Sequence, residues 1–270
     1  MRYQQDSRHI LSLSVRPSIY THGMNQNPAS KFIAALTIIA TPFALGAFIL
    51  TWAPSDQFHR SDPEYDGYVQ PRDVGELVAK TQESTVSVYC EIAKDDFSVG
   101  TGWAIDLKNG TDKKNPTTLI TNHHVIEECI GRSGKLTVAE LYEDEVPAYI
   151  VKWDEENDLA VLATGLKLKP LELSQAEPWP GYWVMVLGSA DGYQGSVAFG
   201  ATLNTTDYEI FITANTSNGN SGGPLIDNEG RVIGTTSWGH KSQQYNGAMS
   251  LNAMCAQIIE CDGEFYWERE

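Results

Sequence analysis

Basic side chains are scarce in this chain, cysteines scarcer still, and there is only one long apolar run. Lys and Arg number 19 against 35 Asp and Glu, for a formal net charge of −16. Four of the basic residues (Arg2, Arg8, Arg16, Lys31) fall within residues 1–52 beside a single acid, Asp6, so the remainder is more acidic than the total suggests. Such a surface repels a phosphate backbone, which argues against nucleic acid as a partner. Four cysteines with no C-x-x-C pair give no support to a zinc ribbon or a redox dithiol. There is no internal repeat and no low-complexity tract. With 41% hydrophobic residues, 23 Gly and 12 Pro spread along 270 positions, collagen, coiled coil and wholesale disorder are excluded. What remains is a globular chain of one large domain or two small ones, long enough to bury a sizeable core.

The apolar run is Phe32–Trp52, uncharged, with Lys31 at one end and Trp52 where an interfacial aromatic would sit. At about 1.5 Å per residue its length matches a bilayer core of about 30 Å. Two readings compete. A small-residue site at Ala44-Leu45-Gly46 suits a cleaved signal peptide, whereas the length of the run favours an uncleaved anchor. Either leaves the basic tail 1–31 inside and exports the chain beyond Trp52 to the periplasmic or extracellular side. Met24 is an alternative start. Residues 53–72 are polar, contain proline and lack an apolar period, as a linker does.

Beyond the linker, Val74, Leu77 and Val78 share one face of a helix expected over Asp73–Lys80. The period then changes to two. Val86, Val88, Cys90 and Ile92 alternate with polar residues, and further strands are expected at 101–107, 118–121, 149–153, 159–163, 182–187, 208–214 and 231–235. Lys108-Asn109-Gly110, Asp191-Gly192 and Asp227-Asn228-Glu229-Gly230 are turn signals. The last also invites a calcium reading, but four residues ending in Gly are a hairpin turn first. Many short strands at this spacing indicate an all-β barrel or sandwich.

Chemistry concentrates in Gly219-Asn220-Ser221-Gly222-Gly223-Pro224-Leu225, where flanking glycines let the backbone turn tightly and bring two N–H groups near a substrate oxygen. A serine nucleophile needs a base, and the base an orienting acid. Upstream stand Thr121-Asn122-His123-His124-Val125 and Asn157-Asp158-Leu159-Ala160-Val161-Leu162. G-N-S-G-G-P-L, T-N-x-H-V and D-L-A-V-L, in the order His, Asp, Ser, resemble the trypsin-like serine endopeptidases, and most closely their bacterial HtrA-type branch. Gly100-Thr101-Gly102-Trp103 is similar to the G-S/T-G strand before the histidine there, and Ser237-Trp238-Gly239 to the S-W-G strand that pairs with substrate backbone. The likeness covers about residues 73–256.

The resemblance implies two six-stranded antiparallel β-barrels with the site between them, and a domain over 73–261. It assigns Ser221 as nucleophile, His124 as base with His123 at the variable position, and Asp158 as acid in preference to Asp154 in its acidic loop. The N–H groups of Gly219 and Ser221 would form the oxyanion hole. Asn215, six residues before the serine, would lie at the pocket floor, with Ser237, Trp238 and Gly239 along the substrate and Gly247 starting a pocket wall. An uncharged Asn215 implies no preference for Lys or Arg. With 49 residues after Ser221, the PDZ domain usual in the HtrA-type branch is not expected here, and residues 262–270 are expected to be an acidic tail. In the family fold the segments carrying Cys90 and Cys129 are neighbours, which pairs those two and leaves Cys255 with Cys261; four buried free thiols are the alternative.

Protein or peptide substrates and the membrane are the implied partners, with no metal or cofactor and no set oligomeric state. Two other classes compete. G-x-S-x-G also fits the nucleophile elbow of an α/β-hydrolase esterase, but that fold orders its triad Ser, acid, His, and only His240 follows Ser221, in a loop. An inactive protease-like binding module would keep these residues in a malformed site.

Overall fold

The computed structural model describes residues 66–107, 112–132, 135–240, 243–261 and Trp267. The apolar run Phe32–Trp52 and the turn at Lys108-Asn109-Gly110 lie outside them. Among the described residues no helix is long and apolar enough to cross a membrane. The chain forms α1 (Val74–Gln82), β1 (Thr85–Ala93), β2 (Asp96–Ile105), β3 (Thr117–Thr121), the single turn α2 (His123–Ile126), β4 (Leu136–Ala139), β5 (Val146–Asp154) and β6 (Leu159–Thr164). It continues through β7 (Trp183–Gly188), β8 (Ser196–Thr205), β9 (Glu209–Ile212), β10 (Pro224–Ile226), β11 (Val232–Gly239), β12 (Asn246–Ser250) and α3 (Leu251–Gln257).

The strands close into two six-stranded antiparallel barrels, β1-β2-β3-β6-β5-β4 and β10-β11-β12-β9-β8-β7. Two strands show why the barrels stay together. β3 and β6 are buried along their whole length. Successive residues of a strand point to opposite faces, and here both faces are apolar. Leu119, Ala160 and Leu162 enter the first barrel's core with Val86, Val88 and Val138. Ile120, Leu159 and Val161 enter the second core, where they join Trp103, Val184, Ile210 and Leu225. Trp103 also donates its indole N–H to Thr235 Oγ1 of β11 at 3.2 Å. The two barrels share a wall.

The helix begins one residue later than its period indicates. Asp73 is its N-cap and accepts from the Glu76 N–H at 2.9 Å, a role for which Asp is suited. Both disulfides join the expected partners, Cys90–Cys129 and Cys255–Cys261. Asp227–Gly230 turns between β10 and β11, Asp227 accepting from the Glu229 and Arg231 N–H groups.

Residues near both ends of the domain pack onto it. Within the stretch 262–270, expected to be an acidic tail, Trp267 is buried in the second core. Its indole N–H donates to the Ser174 carbonyl and its backbone N–H donates to Asn252 Oδ1. The linker also ends in contact with the domain rather than free of it. Asn228 Nδ2 donates to the carbonyls of Asp66 and Val69, both at 2.8 Å, and Trp183 N–H donates to Gly67. Beside this contact lies a cavity of about 330 Å³, lined by Asp66, Ser174, Asp227, Asn228 and Arg231 among others.

Candidate active site

β3 and β6 pair with Thr121 opposite Ala160, so the end of one strand lies beside the start of the other. The chain leaves β3 through Asn122 into α2, and it enters β6 from Asp158. Two side chains 34 residues apart therefore meet. Asp158 Oδ2 lies 2.8 Å from His124 Nδ1, and Asp158 Oδ1 accepts from the His124 backbone N–H at 2.9 Å. His123 is turned inward and buried. Asp154 is spent elsewhere: it accepts from the Glu156 and Asn157 backbone N–H groups and the Asn157 side chain, which closes the turn before Asp158.

Asp158 itself has φ +51°, a left-handed conformation that Asp tolerates better than most residues but which still costs energy. Asn122 Nδ2 holds its carbonyl at 2.7 Å. Asn122 thus forgoes the capping bond that an N-cap Asn ordinarily makes. A third donor reaches the carboxylate, Ser237 Oγ at 2.6 Å from Oδ2. Burial alone would raise this carboxyl. The His124 side chain, Ser237 and the His124 backbone outweigh it and hold Asp158 below its ordinary value.

Ser221 sits in a loop whose shape depends on two left-handed glycines, Gly219 at φ +93° and Gly222 at φ +85°. A Cβ on the first would run into the Ser189 carbonyl, and on the second into Thr101 and Thr121. Three N–H groups in the loop are satisfied: Asn220 donates to Ser217, Gly222 to Thr236 and Gly223 to Asn220. Those of Gly219 and Ser221 have no acceptor among the described residues, and they are the two an oxyanion would need. Ser221 Oγ donates to the Ser237 carbonyl at 3.2 Å, and no hydrogen bond joins it to His124 among the described residues. Ser237 therefore links the two halves, its carbonyl taking the Ser221 hydroxyl and its own hydroxyl serving Asp158. Sequence reasoning placed Ser237 along the substrate; its bond to the acid carried no local signal.

Trp238 and Gly247 are cross-strand partners in β11 and β12. The indole lies against Gly247 where any side chain would collide, and its N–H donates to Glu209 at 3.1 Å. Phe211 and Tyr245 complete an aromatic cluster around it. Asn215 is exposed and makes no hydrogen bond among the described residues. A neighbour not singled out from the sequence, Asn246, crosses the strand end instead. It donates to the Ala214 carbonyl at 2.7 Å, and its Oδ1 crowds Gly239 together with Thr216 Oγ1.

With this geometry in hand, comparison with known proteins is informative. Residues 100–234 match the trypsin-like peptidase domain family. A probable periplasmic serine endoprotease, DegP-like, of Chlamydia muridarum is 33% identical over 127 residues, covering 43% of this chain and 25% of the relative. The chain thus spans about a quarter of the length of the curated relatives it matches first. Among solved structures, a serine endoprotease from Yersinia pestis aligns with a TM-score of 0.59 at 22% identity, over 70% of this chain and 66% of that one. A protease of M. tuberculosis in its active form aligns with a TM-score of 0.58 at 22% identity, over 72% of this chain and 90% of the other. These two likenesses concern the fold.

Proposed function

Because the chain belongs to the trypsin-like peptidase family, we propose that it is an exported serine endopeptidase in which His124, Asp158 and Ser221 act as base, orienting acid and nucleophile. The observation that carries this reading is the placement of Ser237, which touches the candidate nucleophile with its backbone and the candidate acid with its side chain. For reaction, the Ser221 hydroxyl would have to leave the Ser237 carbonyl and donate to His124 Nε2. The imidazole then removes the hydroxyl proton as Oγ attacks the scissile carbonyl carbon. The Nδ1–H donated to Asp158 fixes the tautomer that can accept at Nε2, and the carboxylate stabilises the imidazolium formed. The negative oxygen of the tetrahedral intermediate takes the free N–H groups of Gly219 and Ser221, each such donor being worth about 3 kcal/mol. Proton transfer from His124 to the departing amine leaves an acyl-enzyme, which water hydrolyses by the same steps.

The substrate would be an extended segment of protein laid along Ser237–Gly239. Asn246 and Thr216 crowd the wall at Gly239 and bring no charge, which suits a small uncharged side chain before the cleaved bond. Export is supported by two disulfides, which persist in oxidising compartments, and by relatives named as periplasmic. Phe32–Trp52 would serve as the anchor, or as a cleaved signal.

A second reading, a binding module, draws on the absence of a Ser221–His124 bond. One experiment separates the two. The full chain, purified in detergent, is treated with a fluorophosphonate probe and assayed on an unfolded protein. Labelling that disappears in Ser221→Ala, with kcat lower by at least about 10⁴-fold, is expected of the peptidase. Failure of the wild type to label or cleave would leave the module.

A further inference from the structure

The free N–H groups of Gly219 and Ser221 belong to a glycine-rich loop of the second barrel; β11 holds the loop at Gly222 and Gly223, but the carbonyls of Gly219 and Ser221 are also held from the first barrel. Thr101, in β2, is fully buried. Its backbone N–H donates to the Ser221 carbonyl at 2.8 Å. Its hydroxyl donates to the Gly219 carbonyl at 2.6 Å and accepts the Ser189 N–H at 3.0 Å. Its own carbonyl accepts from Thr121 Oγ1 at 2.6 Å, at the end of the strand that leads to His124. Ser189 is in turn tied to the first barrel by a 2.6 Å bond between its hydroxyl and that of Ser87.

We propose that Thr101 is a positioning residue for the oxyanion hole, holding the Gly219–Ser221 backbone so that its two free N–H groups point at the reacting oxygen. The proposal rests on the peptidase reading above. Glycine has the widest choice of backbone conformations, so the orientation of Gly219 must be imposed by its neighbours. Thr101 grips the carbonyls of Gly219 and Ser221. The Ser221 N–H lies between those two fixed points, and the Gly219 N–H sits directly before the first. Donors held in place before the reaction stabilise the transition state without reorganising, which is the condition for a strong effect. The hydroxyl is not needed to hold Thr101 in its own barrel, because both of its bonds go to loops of the second. One residue thereby couples the strand carrying the base to the loop carrying the nucleophile.

Thr101→Val keeps the β-branched shape and removes only the hydroxyl. Ser189 N–H already lies 3.3 Å from the Gly219 carbonyl. Without the hydroxyl it would shift fully onto that carbonyl, so the loop can settle in a new position while the protein stays folded. Assayed in the full chain, Thr101→Val should lower kcat about 10²-fold with KM nearly unchanged, the size expected when one oxyanion donor is lost. Affinity for a peptide boronic acid, which forms a tetrahedral adduct on the serine, should fall in parallel. Binding of an uncleaved product peptide should not. Thr101→Ser, which restores the hydroxyl, should recover kcat to within a few-fold. Wild-type kcat and boronate affinity in Thr101→Val would overturn the proposal, as would a Thr101→Ser variant no better than Thr101→Val. If Thr101→Val fails to melt cooperatively, Thr101→Cys supplies a weaker donor of similar size: an intermediate kcat supports the clamp and a wild-type kcat refutes it. Ser221→Ala runs alongside. Activity surviving in that variant removes the peptidase reading itself, whereas its loss beside an unimpaired Thr101→Val removes only the clamp.

Discussion

The first barrel sets its site residues at the ends of buried strands, whereas the second sets Ser221 on a glycine-rich loop held by neighbouring segments. His124 and Asp158 stand at the ends of two fully buried strands, and Cys90–Cys129 fastens the segment just after α2 to β1. Ser221 stands instead among glycines, on a loop between the strands of the second barrel, with its backbone gripped from across the interface. The carboxylates differ in the same way. Asp158 is surrounded by donors and held below its usual value. Asp227, in the second barrel, is raised by burial, against which the bonds from Arg231, Ser174 and Glu229 work without prevailing. On the proposed reading, proton handling demands fixed geometry, which strand ends supply. On the same reading, a nucleophile must turn between partners, which a loop steadied by neighbours allows.

The largest test of this contrast is Asp158→Asn. An amide keeps the shape but turns an NH₂ group toward donors and no longer fixes the His124 tautomer, so kcat should fall about 10⁴-fold, and the melting temperature at neutral pH should fall as well because the donors lose their carboxylate. A loss below tenfold in steady-state assays would mean that the first barrel does not supply the acid.

The disulfides come next. The bond between Cys90 and Cys129 closes 39 residues and that between Cys255 and Cys261 only 6. Loop-closure entropy gives about 4 kcal/mol for the first and about 2.4 kcal/mol for the second. Replacing Cys90 and Cys129 by Ser should cost the larger stability in urea melts and also lower kcat, because Cys129 closes the segment after His124. The Cys255/Cys261 pair of substitutions should cost less and leave kcat unchanged. Equal effects on kcat would erase the distinction between the barrels.

The smallest effect concerns pH. Folded Asp227 binds its proton more tightly than the unfolded chain does, so its contribution to stability is lost as pH rises from about 3.8 through its higher folded value. Asp227→Asn keeps an oxygen for the Glu229 and Arg231 N–H groups and offers a donor to Ser174. Thermal melts of the two proteins should coincide near pH 3 and separate in favour of the variant by pH 7. Asp158 has the opposite sign: its contribution is present above about 3.8 and is lost as pH falls through its lower folded value. A wild-type advantage at pH 7 over Asp227→Asn would reverse the assignment for the second barrel.

Strands with strict alternation or continuous apolar character were legible in the sequence, as β1, β3 and β6 show. β8 was not, because Ser196–Thr205 mixes small and polar residues around Gly200, which packs against the backbone of Thr213 and Ala214. β4 is only four residues long, and β10 only three, opening on proline inside the serine motif. Strands this short carry too few residues for a period. The seven-residue α3 escaped notice for the same reason, although Ser250 caps it through the Ala253 N–H. In the candidate site, residues lying in ordered motifs could be read directly. Asn122, Thr101 and Asn246 could not be given roles, because each acts through a carbonyl remote in sequence, and a carbonyl has no residue type to recognise. Trp267 looked like part of a charged tail because its neighbours are acidic, while its indole answers to a core built from residues far upstream.

The shared wall has a consequence for the order in which the molecule comes into being. A chain is synthesised from its N-terminus, and domains tend to fold as their residues emerge. When residue 164 has been made, the first barrel has all six strands, yet Ile120, Leu159 and Val161 face a partner that does not yet exist. That apolar face stays bare until β7 to β12 assemble against it, and the second core is still short of one large side chain until Trp267 arrives. The His124–Asp158 pair can therefore be in place about a hundred residues of synthesis before the second core is complete. Completion of the second core, rather than formation of the His124–Asp158 pair, sets the moment at which the Ser221 loop can come to rest against the first barrel.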